Sequence, residues 1–308
     1  MMATDVAHGV LVESRAPLAE IEDLRIAFRG HDGALTEAVR GLSLTVKRGE
    51  RLGIVGESGS GKSLTGRALL GLLPPAAQLS AKTLRFDGAD LIGMPARERR
   101  KLCGREMGMI LQDPKYSLNP VMTVGAQMRE AFALHEPRLG RRAMREKILA
   151  ALAAVHIRDP QRVATAYPHE LSGGMGQRVM IAMMVSAGPK LLVADEPTSA
   201  LDVLVSMQVL AILDEMIERH DTGLVFISHD LPLVMSFCDR VVVMYAGRVV
   251  ETCAARDLVH AQHPYTRGLL AANPPLTNPP DTLPVLERDP AWLNDRAHQA
   301  GTGEGVRP

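Results

Sequence analysis

Residues 52–63 read Leu52-Gly53-Ile54-Val55-Gly56-Glu57-Ser58-Gly59-Ser60-Gly61-Lys62-Ser63. The apolar run Leu52–Val55 is too short for a helix and predicts a buried strand. Gly56–Ser63 satisfies G-x-x-x-x-G-K-[ST] in full. Glycines let successive backbone N–H groups wrap phosphate oxygens with no Cβ in the way. A helix predicted over 62–73, stopping before Pro74-Pro75, brings its positive end to the same place. Gly56, Ser58, Gly59, Gly61, Lys62 and Ser63 are therefore candidate phosphate-binding residues. Lys62 reaches the β and γ phosphates of a nucleotide, and the Ser63 hydroxyl is a ligand for Mg²⁺. The competing reading is a Gly-Ser surface loop. The strand before it and the helix after it argue against that.

Moving outward, strands are expected at Ile21–Phe28, 39–46, Met107–Leu111, Leu191–Ala194, Leu224–Ile227, Val241–Tyr245 and Arg248–Glu251, the last two forming a hairpin. Phe86-Asp87-Gly88 reads as a turn. Helices are expected at 123–134, 141–155, 172–187 and 203–219. Ala143, Ile148, Leu149, Leu152 and Val155 give the second its apolar stripe. Val205, Val209, Leu213 and Met216 give the last one its face. Strands alternating with helices around Gly-rich turns imply an α/β domain with a mostly parallel sheet. The strand Leu191–Ala194 delivers Asp195 and Glu196 at its carboxyl end, which in such a sheet faces the ligand crevice. Asp195 suits Mg²⁺, and Glu196 suits a water that attacks.

The composition is that of a globular protein, with 46% hydrophobic and 23% charged residues among 308. Lys plus Arg and Asp plus Glu both number 35, so the formal charge is zero and no basic field points to nucleic acid. Cys103, Cys238 and Cys253 are odd in number and widely spaced, which fits isolated thiols in a reducing compartment. The longest apolar stretch, Val179–Ala187, is far shorter than the roughly 20 residues a spanning helix needs. Residues 1–19 read as a flexible leader.

Residues 171–178 read Leu-Ser-Gly-Gly-Met-Gly-Gln-Arg. With the phosphate loop and the Asp195-Glu196 strand, this resembles the signature motif of ATP-binding cassette ATPases. The family's other stations follow in order: Gln112 at the Q-loop, Ser199-Ala200-Leu201-Asp202 at the D-loop, and His229 as the switch histidine. Phe28 lies near the aromatic that stacks on adenine, or else packs in the core. The resemblance covers about residues 20–255. It implies a P-loop NTPase (RecA-like) core with a mostly parallel sheet, an antiparallel β subdomain and a helical insert at about 113–170. It also implies ATP and Mg²⁺ as cofactors. Two cassettes would stack head to tail, each ATP held between one phosphate loop and the partner's Ser172-Gly173-Gly174. Glu196, His229, Gln112 and Asp202 would be the catalytic residues, and Ser63, Gln112 and Asp195 the metal ligands.

Gln112-Asp113-Pro114, Leu118-Asn119-Pro120 and His263-Pro264-Tyr265-Thr266 further resemble the dipeptide, oligopeptide and nickel importer branch. That branch implies an ATPase on the cytoplasmic face of the inner membrane. Its partners would be a second, related cassette, two integral-membrane permeases and an extracytoplasmic substrate-binding protein, and its cargo peptides or, alternatively, nickel or a metal chelate. Residues 256–308 would be the branch's C-terminal extension. No cysteine follows Cys253, so the cysteine segment and any iron–sulfur cluster are not expected. Gly176 stands where the branch usually has Arg, through drift or as a weakened composite site. A soluble cassette ATPase of DNA repair or translation, and a catalytically degenerate nucleotide-binding subunit, are the remaining alternatives.

Overall fold

Short, largely apolar strands of four to seven residues form the central sheet, and they do so because both of its faces are covered. The computed structural model describes residues 16–30, 33–113, 117–199, 201–272, 286 and 288–293. The central strands are β3 (Arg51–Val55), β7 (Met107–Ile110), β8 (Leu191–Asp195), β9 (Gly223–Ile227), β10 (Arg240–Tyr245) and β11 (Arg248–Ala254). Their order is β11-β10-β3-β9-β8-β7. β10, β3, β9, β8 and β7 pair in parallel, and β11 joins the edge antiparallel, through the hairpin at Ala246-Gly247. Every residue of β7, β8 and β9 is buried, as a parallel sheet between helical layers demands.

A second sheet is wholly antiparallel. It contains β1 (Ala19–Arg29), β2 (Leu35–Val46), β4 (Ala77–Ser80), β5 (Thr83–Phe86) and β6 (Ala89–Asp90). β4 and β5 were not expected from sequence, since each is only four residues long and too short for its alternation to stand out. Leu18 and Ala19, placed in the leader by the sequence, are buried, and Leu18 N–H donates to the Val46 carbonyl at 2.8 Å. The rest of that expectation, residues 1–15, lies outside the described residues.

Helix α1 (Lys62–Leu70) stops three residues short of the expected end, because Gly71 adopts a left-handed conformation (φ 69°). A short α2 (Ala96–Leu102) follows β6. Three helices then build the insert: α3 (Val124–Ala133), α4 (Arg141–Ala154) and α5 (Pro160–Thr165). They share one apolar cluster through Val124, Met128, Phe132, Met144, Ile148, Leu152 and Val163. The buried stripe of α4 runs through Met144, whereas Ala143, assigned to it from sequence, is exposed. Methionine four residues before Ile148 completes the i, i+4, i+8 line that a helix surface sets. Helices α6 (Gly173–Val185), α7 (Val203–His220) and α8 (Leu231–Phe237) begin at Ser172, Asp202 and Asp230, whose side chains cap them. The buried face of α7 is Val209, Ile212, Leu213, Met216 and Ile217, and Val205 is only half-buried. Helix α9 (Pro264–Ala271) follows β11. No described helix is long and apolar enough to cross a membrane.

Helix α1 lies unusually close to β8. A Cβ at Gly66 would sit 2.7 Å from Val193 Cγ1 and 3.3 Å from Ile227 Cδ1. Gly66→Val therefore overpacks this contact and costs about 1–3 kcal/mol of unfolding free energy. Urea denaturation measures it, and an unchanged midpoint would mean the helix can lift from the sheet without penalty.

Candidate functional site

The loop between β3 and α1 wraps over the sheet's carboxyl edge. Gly56 (φ 144°) has its Cβ position 2.1 Å from the Met244 carbonyl oxygen, so no side chain fits there. Gly61 (φ 98°) begins α1, whose first residues are Lys62 and Ser63. Lys62 is buried, and its ammonium folds back to donate to the carbonyls of Gly56 (2.7 Å) and Glu57 (2.8 Å). Burial lowers the Lys62 pKa, while Glu196, Asp195 and Glu57 oppose that shift.

Two carboxylates arrive from β8. Asp195 is buried at the strand's last position, and the Ser63 hydroxyl donates to its Oδ1 at 2.8 Å. Burial raises the Asp195 pKa, and the Ser63 hydrogen bond lowers it less. Glu196 takes a left-handed backbone conformation (φ 49°). For a residue with a Cβ that conformation costs on the order of 1–3 kcal/mol. The turn holds it on both sides: Glu196 N–H donates to the Ile227 carbonyl at 2.9 Å, and Ser199 N–H donates to the Glu196 carbonyl at 3.3 Å. The effect is to turn the Glu196 side chain away from Asp195 and toward two other groups. Gln112 Nε2 donates to Glu196 Oε2 at 2.8 Å, and His229 Nδ1 lies 3.3 Å from Glu196 Oε1.

Ser63, Gln112, Asp195, Glu196 and His229 thus line one cavity of about 650 Å³, together with Arg67, Asp113 and Ser199. Arg67 was not singled out from sequence, although its position one helical turn beyond Ser63 points it to the same edge; its charge lowers the Asp195 pKa. A neighbouring cavity of about 490 Å³ is lined by Gly56, Glu57, Ser58, His229, Asp230, Leu231, Leu269 and Ala272.

Other expected site residues stand apart. Ser172, Gly173 and Gly174 line neither cavity; Ser172 Oγ accepts from Met175 N–H at 3.3 Å. Gly174 packs against α7, where a Cβ would come within 2.8 Å of Val205 Cγ1. Gly176 sits on the buried side of α6. Asp202 is exposed and accepts from Val205 N–H at 2.9 Å, and its motif neighbour Ala200 lies outside the described residues. Phe28 is half-buried on β1 opposite Thr36 and Ala77, against the antiparallel sheet's core. Among the described residues no cluster of three His, Cys, Asp or Glu side chains forms a metal centre. Cys238 is buried in the core, with its thiol pushed up to about 12 by burial. Cys103 and Cys253 are partly exposed.

The donor set fits a magnesium nucleotide. A hydroxyl, a buried carboxylate and the amide oxygen of Gln112 are hard oxygen ligands, and Mg²⁺ prefers few of these alongside phosphate and water. The Lys62 ammonium donates to two loop carbonyls, and Arg67 lines the cavity as a second cation.

The family model for the ABC transporter matches residues 39–199. The oligopeptide transport ATP-binding protein OppD of Bacillus subtilis is 43% identical over 283 residues, covering 89% of this chain and 78% of that protein. The dipeptide transport ATP-binding protein DppD of Escherichia coli is 45% identical over 270 residues, covering 87% and 82%. Two mycobacterial OppD proteins are longer, and the chain spans 42% of their length. The ATP-binding cassette MJ0796, solved as a dimer bound to ADP and Pi, superposes with a TM-score of 0.69 over 77% of this chain and 99% of its own, at 24% identity, and so shares the fold. The phosphate loop, the β8 carboxylates and these likenesses converge: the chain belongs to the ABC transporter family, as an ATP-binding cassette of the oligopeptide and dipeptide transport branch.

Proposed function

We propose that this chain is the ATP-hydrolysing subunit of a peptide import complex, docked on the cytoplasmic face of the membrane. The single observation that carries the catalytic part is the cavity that gathers Ser63, Gln112, Asp195, Glu196 and His229. The peptide cargo rests on the likeness to oligopeptide and dipeptide transport proteins. Residues 20–255 act as the cassette, with the helical insert at about 113–170 facing the permeases, and 256–308 as a C-terminal extension.

The chemistry divides by position. Ser63, Asp195 and Gln112 would hold Mg²⁺, which would supply charge neutralisation at the transferring phosphoryl group. Lys62 leaves the Gly56 and Glu57 carbonyls for the β and γ phosphates, exchanging two neutral acceptors for charged ones. Glu196 accepts a proton from the attacking water. His229, on its other side, fixes the water's line of attack, and Gln112 ties that geometry to the insert.

Head-to-tail pairing with a second cassette completes the site. Two features support it. Ser172 and Gly173 are exposed and line neither cavity of their own chain. Next to Asp202, the first turn of α7 exposes Val203 (76%), Leu204 (74%) and Met207 (64%), an apolar patch of the kind that marks an interface. A related but different polypeptide is the expected partner, with two permeases and a substrate-binding protein in the assembly.

Glu196→Gln keeps size and hydrogen bonding but cannot take the proton. In the assembled complex, single-turnover hydrolysis falls by about 10²–10⁴-fold while ATP binding is kept. Normal hydrolysis would remove Glu196 from the role of base. Lys62→Ala loses a charge-assisted contact and weakens ATP binding by at least about tenfold in calorimetric titration; an unchanged dissociation constant would move the triphosphate elsewhere.

Asp195 carries a stability consequence of opposite sign. A carboxyl whose pKa is raised on folding favours the native state when protonated, and that stability is lost as pH rises through the folded value. Above the folded value its buried charge opposes folding of the nucleotide-free protein. Asp195→Asn accordingly raises the melting temperature without Mg-ATP and abolishes the rise that Mg-ATP produces. A lower melting temperature in both conditions would show that the Ser63 hydrogen bond outweighs burial.

A further inference from the structure

The C-terminal residues that lie beyond the cassette motifs reach the back of the phosphate loop. The Glu57 N–H, one residue into that loop, donates to the Tyr265 hydroxyl at 3.0 Å. The Glu57 carboxylate pairs with Arg288 at 3.1 Å. The Glu57 carbonyl faces the other way and accepts from Lys62 at 2.8 Å and from Ser60 N–H at 3.2 Å. Glu57 is thus a node with the phosphate-binding lysine on one side and the C-terminal extension on the other.

Tyr265 is held rigidly for that task. It is wholly buried on α9, with its ring 4.5 Å from that of Tyr245 and 6.1 Å from that of Trp292. Its N–H donates to His263 Nδ1 at 3.1 Å, and the His263 and Gln262 N–H groups donate to the Glu251 carboxylate on β11. Burial pushes the Tyr265 hydroxyl up to about 12, so it stays a neutral acceptor across the working pH range. From the same helix, Leu269 and Ala272 wall the cavity shared by Gly56, Glu57, Ser58 and His229.

We propose that Tyr265 is a positioning residue for ATP binding: its hydroxyl, on a ring packed against Trp292, pins the Glu57 peptide so that the phosphate loop keeps its curvature when Lys62 leaves the Gly56 and Glu57 carbonyls for phosphate. This deepens the reading of residues 56–63 as the nucleotide site and rests on it. The Lys62 bond to Glu57 cannot do this job, since it is given up on binding. The Arg288 pair contributes less, because both its groups are partly in water.

The test uses the full chain and Mg-ATP. Tyr265→Phe removes one oxygen and leaves the ring packing. Calorimetric titration shows ATP affinity falling by about three- to tenfold, the worth of one neutral hydrogen bond. Hydrogen exchange quickens in the 56–61 segment and is unchanged in β8 and β9. Trp292→Ala, which removes the backing without touching the loop, shifts affinity in the same direction. Arg288→Gln shifts it by less than about twofold. Unchanged affinity in Tyr265→Phe, or exchange quickened throughout the sheet, overturns the proposal by reducing Tyr265 to ordinary packing. Lys62→Ala run alongside separates the two readings: if it too leaves affinity unchanged, the nucleotide site itself is misassigned. If it alone weakens binding, only the positioning role fails.

Discussion

Ile227 pairs with Ile54 on one side and with Asp195 on the other. That single register across β3, β9 and β8 is what the site depends on. It aligns the carboxyl ends of three strands that are far apart in sequence, so the phosphate loop, the paired carboxylates and His229 leave the sheet at one level. The Glu196 N–H closes on the Ile227 carbonyl, and the Ser228 N–H on the Ile54 carbonyl, so the chain's exit from each strand is tied to its neighbour. A slip of one residue would invert every side chain in a strand and bury Glu196's partner face. The continuous burial of these strands makes such a slip costly.

Around this register the nucleotide-free site is electrostatically provisional. A buried ammonium leans on loop carbonyls, and a buried carboxylate leans on one hydroxyl. Each loses solvation for which the protein alone supplies incomplete compensation, as the opposite shifts of Lys62 and Asp195 record. In the proposed site, phosphate oxygens would answer the first and a divalent cation the second. Glu196 differs: Gln112 and His229 already bracket it, so its carboxylate is held from two sides.

Sequence reading reached the candidate site by local grammar. Glycines spaced for a phosphate loop and a strand ending in two carboxylates are both short-range statements, and backbone physics at those positions is enough to make them. The elements that were missed have no such grammar. β4 and β5 are too short to carry a period, and Met144 took the place of Ala143 on α4 because burial there depends on how α3 and α5 sit against it. The C-terminal segment was read only as an extension, and nothing in its composition announces that Trp292 packs edge-on against Tyr265.

The amino-acid sequence by itself determined the α/β class and the family, and it named Lys62, Ser63, Asp195, Glu196, Gln112 and His229 as candidate site residues, because each sits in a motif whose chemistry is local. Only the tertiary structure decided that Gln112 and His229 converge on the same carboxylate, that Arg67 faces Asp195, that Ser172 and Gly173 stand away from their own chain's cavity, and that Tyr265 and Arg288 meet Glu57 across more than two hundred residues of chain. Those are contacts between elements distant in sequence. They follow from strand order and helix docking, which depend on the summed burial of the whole core and on no single stretch of it.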